Sequence, residues 1–303
     1  MRKILLTGKN GQVGWELQRA LAPLGDVVAV DRQEMDLADP DSIRKVIREI
    51  RPSLIVNAAA YTAVDKAESE PDLAMAINGI APGVMAEEAK RLNAAIIHYS
   101  TDYVFDGSKK SPYSEEDIPN PLNVYGKTKL SGERAIQAVG TPYLILRTSW
   151  VYGVCGKNFL STILILARER SELKVVDDQV GAPTWSHMLA EVTSQMLAQR
   201  YSPFSCPSAL VTDIGGLYHV VPGGLTTWYG FAKKILEDTS CHVSHTLPKL
   251  IAIPTAEYPL PAKRPHNSSM SNEKLKQTYG LEIPSWENSL MLCLDELVKT
   301  YAI

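Results

Sequence analysis

Short, mainly apolar runs alternate with segments of helical periodicity through the first half of the chain. Lys3–Thr7, Val27–Val30, Leu54–Asn57, Ala95–Ser100 and Tyr143–Arg147 lack the polar alternation of a half-exposed strand. Runs of that kind are covered on both faces, as in a parallel sheet. Between them, apolar residues recur at three- and four-residue spacing. Val13, Leu17, Ala20 and Leu21 predict a helix over 12–22. Ile43, Val46, Ile47 and Ile50 predict another that opens on Asp39-Pro40, an N-cap followed by proline at the first helical position. Two more are expected from about Pro71 to Leu92 and from about Val124 to Val139. Strand and helix in alternation predict an α/β fold, a doubly wound parallel sheet of the Rossmann type.

Beyond Trp150 the pattern loosens. Helical segments over 157–170, 185–200, 228–239 and 285–301 are separated by prolines and short loops. Pro254, Pro259, Pro261 and Pro265 crowd into one short stretch, a poor setting for regular structure. The expected division is a dinucleotide-binding domain over 1–150, with later segments returning to its sheet, and a smaller α/β lobe over 151–303.

Composition narrows the class. The 31 Lys and Arg nearly balance 34 Asp and Glu. That balance argues against a protein held to nucleic acid mainly by phosphate contacts. No apolar run approaches the roughly 18 residues of a membrane span. Ile4-Leu5-Leu6 after Met1-Arg2-Lys3 is too short for the core of a secretion signal. Cys155, Cys206, Cys241 and Cys293 form no C-x-x-C pair and have no zinc-like spacing to histidine. The cytoplasm is therefore the expected compartment. His242-x-x-His245, on a short polar stretch, reads as two surface histidines.

Three features carry candidate chemistry. Gly8-Lys9-Asn10-Gly11-Gln12-Val13-Gly14 follows the first strand and opens the first helix. Glycine lets the backbone come close to a pyrophosphate, and the helix start offers it unpaired N–H groups. The spacing is G-x-x-G-x-x-G, so its place at a strand-to-helix switch carries the assignment. Asp31, ending the second strand, stands where a carboxylate meets the adenine ribose hydroxyls and repels a 2′-phosphate. Arg32 could pair with that phosphate instead, which leaves NADH against NADPH open. Tyr125 and Lys129, four apart on a helix, share a face. An ammonium beside a phenol lowers its pKa from about 10, so that the phenol can deliver a proton to a carbonyl oxygen. Ser100-Thr101-Asp102-Tyr103 brings a hydroxyl to the strand edge where open α/β sheets bind ligands.

The glycine loop, Asn57-Ala58-Ala59-Ala60, Thr101 and the Tyr125/Lys129 pair resemble an extended short-chain dehydrogenase/reductase. Longer stretches over 64–68, 98–105, 147–152, 178–179, 181–184 and 264–268 are similar to the dTDP-4-dehydrorhamnose reductase family across nearly the whole chain. The resemblance implies reduction of a nucleotide sugar, dTDP-4-dehydro-L-rhamnose, by NADPH or NADH. It implies that Gly11, Gln12 and Val13 cradle the cofactor, with Asp31, Asp36 and Leu37 at its adenosine half; Gly8, Gly14 and Arg32 join the cofactor candidates from the loop and strand-end pattern. Ala60, Tyr61 and Thr62 would line the path to the nicotinamide, with Tyr99 below it. Tyr125 would donate the proton, Lys129 would tune it and hold the ribose, and Thr101 would be the hydroxyl partner. Thr101, Asp102 and Trp150 would contact the sugar, and Arg264 the phosphates, a surface salt bridge being its other reading. Asn78 either anchors the lysine through water or faces solvent. Family members can bind Mg2+ at a subunit contact. Glu16 matches one such position, but His187 stands where a second glutamate is expected, so no metal ligand is assigned and a homodimer is an open option. Two rivals keep the same scaffold: an epimerase or dehydratase that recycles a held NAD+, and a non-catalytic subunit that retains the fold. Neither nucleic acid nor membrane is an expected partner.

Overall fold

The computed structural model describes residues 2–199, 215–239 and 247–301. Cys206, Cys241, His242 and His245 lie outside the described residues. The first strands are β1 (Lys3–Thr7), β2 (Asp26–Val30), β3 (Leu54–Asn57), β4 (Ala95–Thr101) and β5 (Tyr143–Thr148), each where the apolar runs place it to within a residue. After them come β6 (Glu172–Val176), β7 (Val180–Gly181), β8 (Gly216–His219), β9 (Thr226–Thr227) and β10 (Lys249–Ile253). The main sheet runs β2-β1-β3-β4-β5-β8, all parallel. The order reverses at β1, which opens a crevice at the carboxyl ends of β1 and β3. In register, Thr7 pairs with Asn57, Asn57 with His98, and Thr101 with Thr148.

Helices α1 (Gln12–Ala20), α2 (Pro40–Ile50), α3 (Val64–Ala67), α4 (Pro71–Met75), α5 (Ala81–Arg91) and α6 (Val124–Val139) connect the first five strands. Asp39 caps α2, its side chain accepting from Asp41 N, with Pro40 at the first turn as expected. The helix expected from Pro71 to Leu92 is present, but residues Ala76–Ile80 make a π-helical turn between α4 and α5. Gly132 of α6 packs there so closely that a Cβ would lie 2.2 Å from Asn78 O. Buried side chains fill both faces of the sheet. Ile4, Leu6, Val56 and Ile97 face Leu17, Leu21 and Leu189 on one side. Leu5, Ile55, Ile96 and Ile145 face Ile43, Ile47, Met85 and Ile136 on the other.

The remaining helices are α7 (Phe159–Glu169), α8 (Ser186–Ala198), α9 (Trp228–Thr239), α10 (Glu273–Tyr279) and α11 (Trp286–Tyr301). A second core of Tyr152, Leu160, Ile163, Phe231, Ile235, Trp286 and Leu290 joins α7, α9 and α11. β6 and β10 pair in parallel beside it, and β7 and β9 pair antiparallel. The proline-rich stretch holds one 3₁₀ turn, Thr255–Glu257, and is otherwise irregular. Its placement against α6 is fixed by Asn123, whose Nδ2 donates to Lys263 O while its Oδ1 caps the helix at Gly126 N.

Candidate active site

A cavity of about 600 Å³ lies at the carboxyl ends of the sheet. Gly8, Gly11, Gln12, Val13, Asp31, Arg32, Asp36, Leu37, Ala60, Thr62, Tyr99, Tyr125 and Lys129 line it. The glycines are required by contact. Gly8 has φ +77°, and a Cβ there would sit 2.9 Å from Ala59 N. A Cβ on Gly14 would sit 2.0 Å from Gly8 O, so Gly14 supports the cavity wall from behind. Helix α1 starts at Gly11 with no side-chain cap and no acidic residue in its first turn. Its leading N–H groups are thus left for an anion, which fits the pyrophosphate of a dinucleotide.

At the far end, Asp31 accepts from Gln33 N at 2.9 Å and from Asn10 Nδ2 at 3.1 Å. The Gln33 N–H, with Lys9 and Asn10, holds its carboxyl below the usual range. Arg32 is mostly exposed, with Asp36 3.7 Å from its Nε.

Tyr125 is placed by the glycine that follows it. A side chain at Gly126 would strike Tyr103 O at 2.1 Å, so α6 meets the strand end closely enough to set Tyr125 against Thr101. Burial pushes the Tyr125 phenol up to about 12; the hydrogen-bonded Thr101 hydroxyl draws it down and the Asp102 charge raises it. The lowering expected from Lys129 is not what the structure gives. Lys129 Nζ donates to Tyr99 O at 2.5 Å and meets His98 Nε2 at 3.2 Å, both on β4. Burial lowers Lys129 to about 8, against the charge of Glu133. Desolvation therefore governs both groups, and spacing alone did not reveal it.

Thr101 and Asp102 are buried behind the cavity wall. Burial lifts Asp102 to about 7 against hydrogen bonds from Ser268 and Thr101. Tyr61 is not part of the wall: its hydroxyl donates to Glu70 Oε2 at 2.7 Å. Asn78 does not face solvent. It is 1 % exposed, accepts from Tyr61 N, and donates to Tyr61 O and Thr128 Oγ1, which ties the Ala60–Thr62 segment to α6.

A second cavity of about 560 Å³ is lined by Phe159, Lys174, Gln179, Trp228, Tyr258, Arg264 and His266, among others. Trp150, held at φ 47°, stacks on Trp228 with ring centroids 3.7 Å apart. Gly181 leaves room for that indole, since a Cβ would sit 2.6 Å from it. Arg264 is held in a half-buried salt bridge, in line with the second of its two readings: Asp65 takes both Nη1 and Nη2, at 3.0 and 2.7 Å. Arg264 also hydrogen-bonds Tyr103, whose ring stands edge-on to Tyr125 at 6.0 Å. One ring contact and one hydrogen bond thus link the two cavities.

Sequence reasoning assigned no role to Asn57, His98, Glu133 or Arg147. Glu133 lay four residues beyond Lys129, the same spacing that selects Tyr125. Its bidentate pair with Arg147, at 2.9 and 2.7 Å, is buried with both side chains.

The residues of the family's magnesium position do not fit that ion here. Glu16 Oε2 already accepts from Arg19 Nη2 at 3.2 Å and meets His187 Nδ1 at 3.1 Å. Its other oxygen and Glu296 Oε2 are both buried without a hydrogen-bond partner, two oxygens where Mg2+ asks for octahedral ligation. Among the described residues, no three His, Cys, Asp or Glu side chains are grouped to hold a metal.

A glycine cradle at a sheet switch point and a buried Tyr–Thr pair beside it define an NAD(P)-dependent oxidoreductase of the Rossmann type. More narrowly, the family described as RmlD substrate binding domain matches residues 1–299, and the chain belongs to that family. It is 48% identical over 305 residues, 99% of each chain, to the dTDP-4-dehydrorhamnose reductase of Escherichia coli strain K12. It is also similar to the crystal structure of a dTDP-4-dehydrorhamnose reductase from Clostridium acetobutylicum, at 39% identity and a TM-score of 0.88 over 97% of this chain and 99% of that one. A Bacillus anthracis dTDP-4-dehydrorhamnose reductase, solved in complex with NADP, gives the same TM-score at 35% identity, over 98% and 100% of the two chains.

Proposed function

We propose that the protein reduces the C4 ketone of dTDP-4-dehydro-L-rhamnose to dTDP-L-rhamnose at the expense of NADPH or NADH, the last step of dTDP-rhamnose synthesis. The buried Tyr125 phenol, hydrogen-bonded to Thr101 at the edge of the glycine-lined cavity, carries this reading. The full-length similarity to reductases of that name supports the substrate. Bound in the cavity, the reduced nicotinamide supplies the hydride. The chain's own residues do the rest. Gly8, Gly11, Gln12 and Val13 take the pyrophosphate, and Asp31, Arg32, Asp36 and Leu37 the adenosine half. Ala60 and Thr62 border the nicotinamide path, held by the Tyr61–Asn78 clamp.

As the ketone is reduced, charge grows on its C4 oxygen. Thr101 stabilises that charge and Tyr125 gives it a proton. With a pKa near 12, the phenol stays protonated through neutral pH and has a proton to give. Lys129 steadies the phenolate that remains and holds the ribose. Asp102 and Trp150 shape the sugar site, and the second cavity, with Arg264 and Lys174 at its wall, takes the nucleotide phosphates. Residues 1–150 thus serve mainly the cofactor and 151–303 mainly the nucleotide sugar. Among the described residues no helix is long and apolar enough to cross a membrane. We place the enzyme in the cytoplasm, without nucleic acid or membrane partners, and with a homodimer as its candidate assembly.

Purified protein given dTDP-4-dehydro-L-rhamnose should consume NADPH or NADH stoichiometrically. No consumption with either cofactor would remove the reductase reading, and turnover without net consumption would favour an epimerase.

A further inference from the structure

A row of buried polar side chains runs beneath the cofactor cavity from β1 to α6. Thr7 Oγ1 donates to Asn57 Oδ1 at 2.7 Å, Asn57 Nδ2 meets His98 Nδ1 at 3.0 Å, and His98 Nε2 meets Lys129 Nζ at 3.2 Å. None of the four residues is more than 2 % exposed. Sheet register builds the row: Thr7, Asn57 and His98 are lateral partners on β1, β3 and β4, and α6 closes it with Lys129.

A neutral imidazole has one donor and one acceptor nitrogen, so the row admits two consistent arrangements. If Lys129 is an ammonium, Nε2 must accept from it, and the proton sits on Nδ1. The Asn57 amide then turns its oxygen to His98 and its NH2 to Thr7. If Lys129 is an amine, Nε2–H donates to its lone pair. Asn57 Nδ2 then donates to Nδ1 while its oxygen accepts from Thr7, the orientation the structure has. In that form the amine still donates to Tyr99 O.

We propose that His98 is a positioning residue for Lys129, a tautomer switch that lets the lysine change charge without an imidazolium ever forming. This rests on the roles given above to Tyr125 and Lys129. The surroundings suit it. Burial, and after it the charge of Lys129, keeps the His98 imidazole neutral. Glu133, on α6, acts on Lys129 and is itself held by Arg147 of β5. The phenols of Tyr99 and Tyr125, facing the same cavity, stay neutral through burial. Thr7 and Asn57 bring no charge. Both imidazole nitrogens are satisfied in either state.

Two measurements test the proposal. The first is the pH profile of kcat. In His98→Leu the ammonium loses an acceptor to hydrocarbon, so the alkaline limb should move down by about one pH unit. The KM for the nucleotide sugar should stay within about two-fold. His98→Gln, which can both accept and donate, should restore the limb. A His98→Leu enzyme with the wild-type limb would overturn the proposal. The second, on wild-type protein and independent of turnover, is side-chain ¹⁵N NMR of His98. The Nδ1–H tautomer is expected below the Lys129 titration and the Nε2–H tautomer above it. One tautomer throughout, or an imidazolium, would overturn the proposal even if the leucine variant failed to fold. Were Tyr125→Phe to keep full activity, the catalytic assignment would fail whichever tautomer His98 shows.

Discussion

Arg264 and Asp65, 199 residues apart in the chain, meet in a two-pronged pair at 3.0 and 2.7 Å. The contact ties the irregular proline-rich stretch to α3 and so fixes one wall of the second cavity. Replacing Arg264 with Met should raise the KM for the nucleotide sugar at least about ten-fold while leaving cofactor affinity within about two-fold. Steady-state kinetics and a separate NADPH titration check this. Equal loss of both affinities would place Arg264 in the general fold rather than in the substrate site.

Gly14 and Gly8 set the cradle. A methyl group at Gly14 meets backbone, not a flexible side chain, at 2.0 Å. Gly14→Ala should therefore weaken NADPH binding by at least about a hundred-fold. Gly11→Ala, whose Cβ would lie 3.3 Å from Gly8 O, disturbs the free protein far less. Fluorescence titration with NADPH and thermal unfolding of each variant separate loss of the cradle from loss of the fold.

Glu133 and Arg147 are almost wholly buried, so removing one leaves the other charge stranded. Glu133→Gln should cost about 3–5 kcal/mol of unfolding free energy in a urea titration. The double variant Glu133→Leu/Arg147→Met should cost clearly less than the sum of its single changes, because it strands no charge.

The Glu16–His187 pair gives stability a pH signature. The hydrogen bond to Glu16 holds His187 above its ordinary 6.5, although burial works against it. A group raised on folding stabilises fully below its unfolded pKa and stops doing so as pH climbs through the folded value. Burial raises Glu16, but His187 and Arg19 together lower it below its ordinary 4.5, so its share is lost as pH falls through the folded value. His187→Ala should thus lower Tm most between roughly pH 5 and 6.5, with the gap closing toward alkaline pH. Added Mg2+ should move the wild-type Tm by less than about 1 °C.

Local features were the legible ones. Five strands of the main sheet showed as apolar runs because both of their faces are covered, and α2 announced its start through Asp39-Pro40. β8, only Gly216–His219, carries no such run and takes its place from the edge of β5. The π-helical turn at Ala76–Ile80 was hidden because a single wider turn of five residues leaves too short a trace in the apolar spacing. In the site, the glycine loop and the Tyr125/Lys129 spacing were readable within a few residues. The partners that define Asn78, His98 and Arg264 lie far away in the chain, and no local pattern reports them. The direction of the Tyr125 shift was not legible for a related reason: burial sets it, and burial belongs to the assembled sheet.

Proton delivery by Tyr125 is the center of this account, and Tyr125→Phe tests it most directly. Reduction of dTDP-4-dehydro-L-rhamnose by NADPH should slow by about 10²–10⁴-fold in kcat, with the NADPH dissociation constant unchanged. A variant that binds NADPH normally and turns over near the wild-type rate would contradict the account.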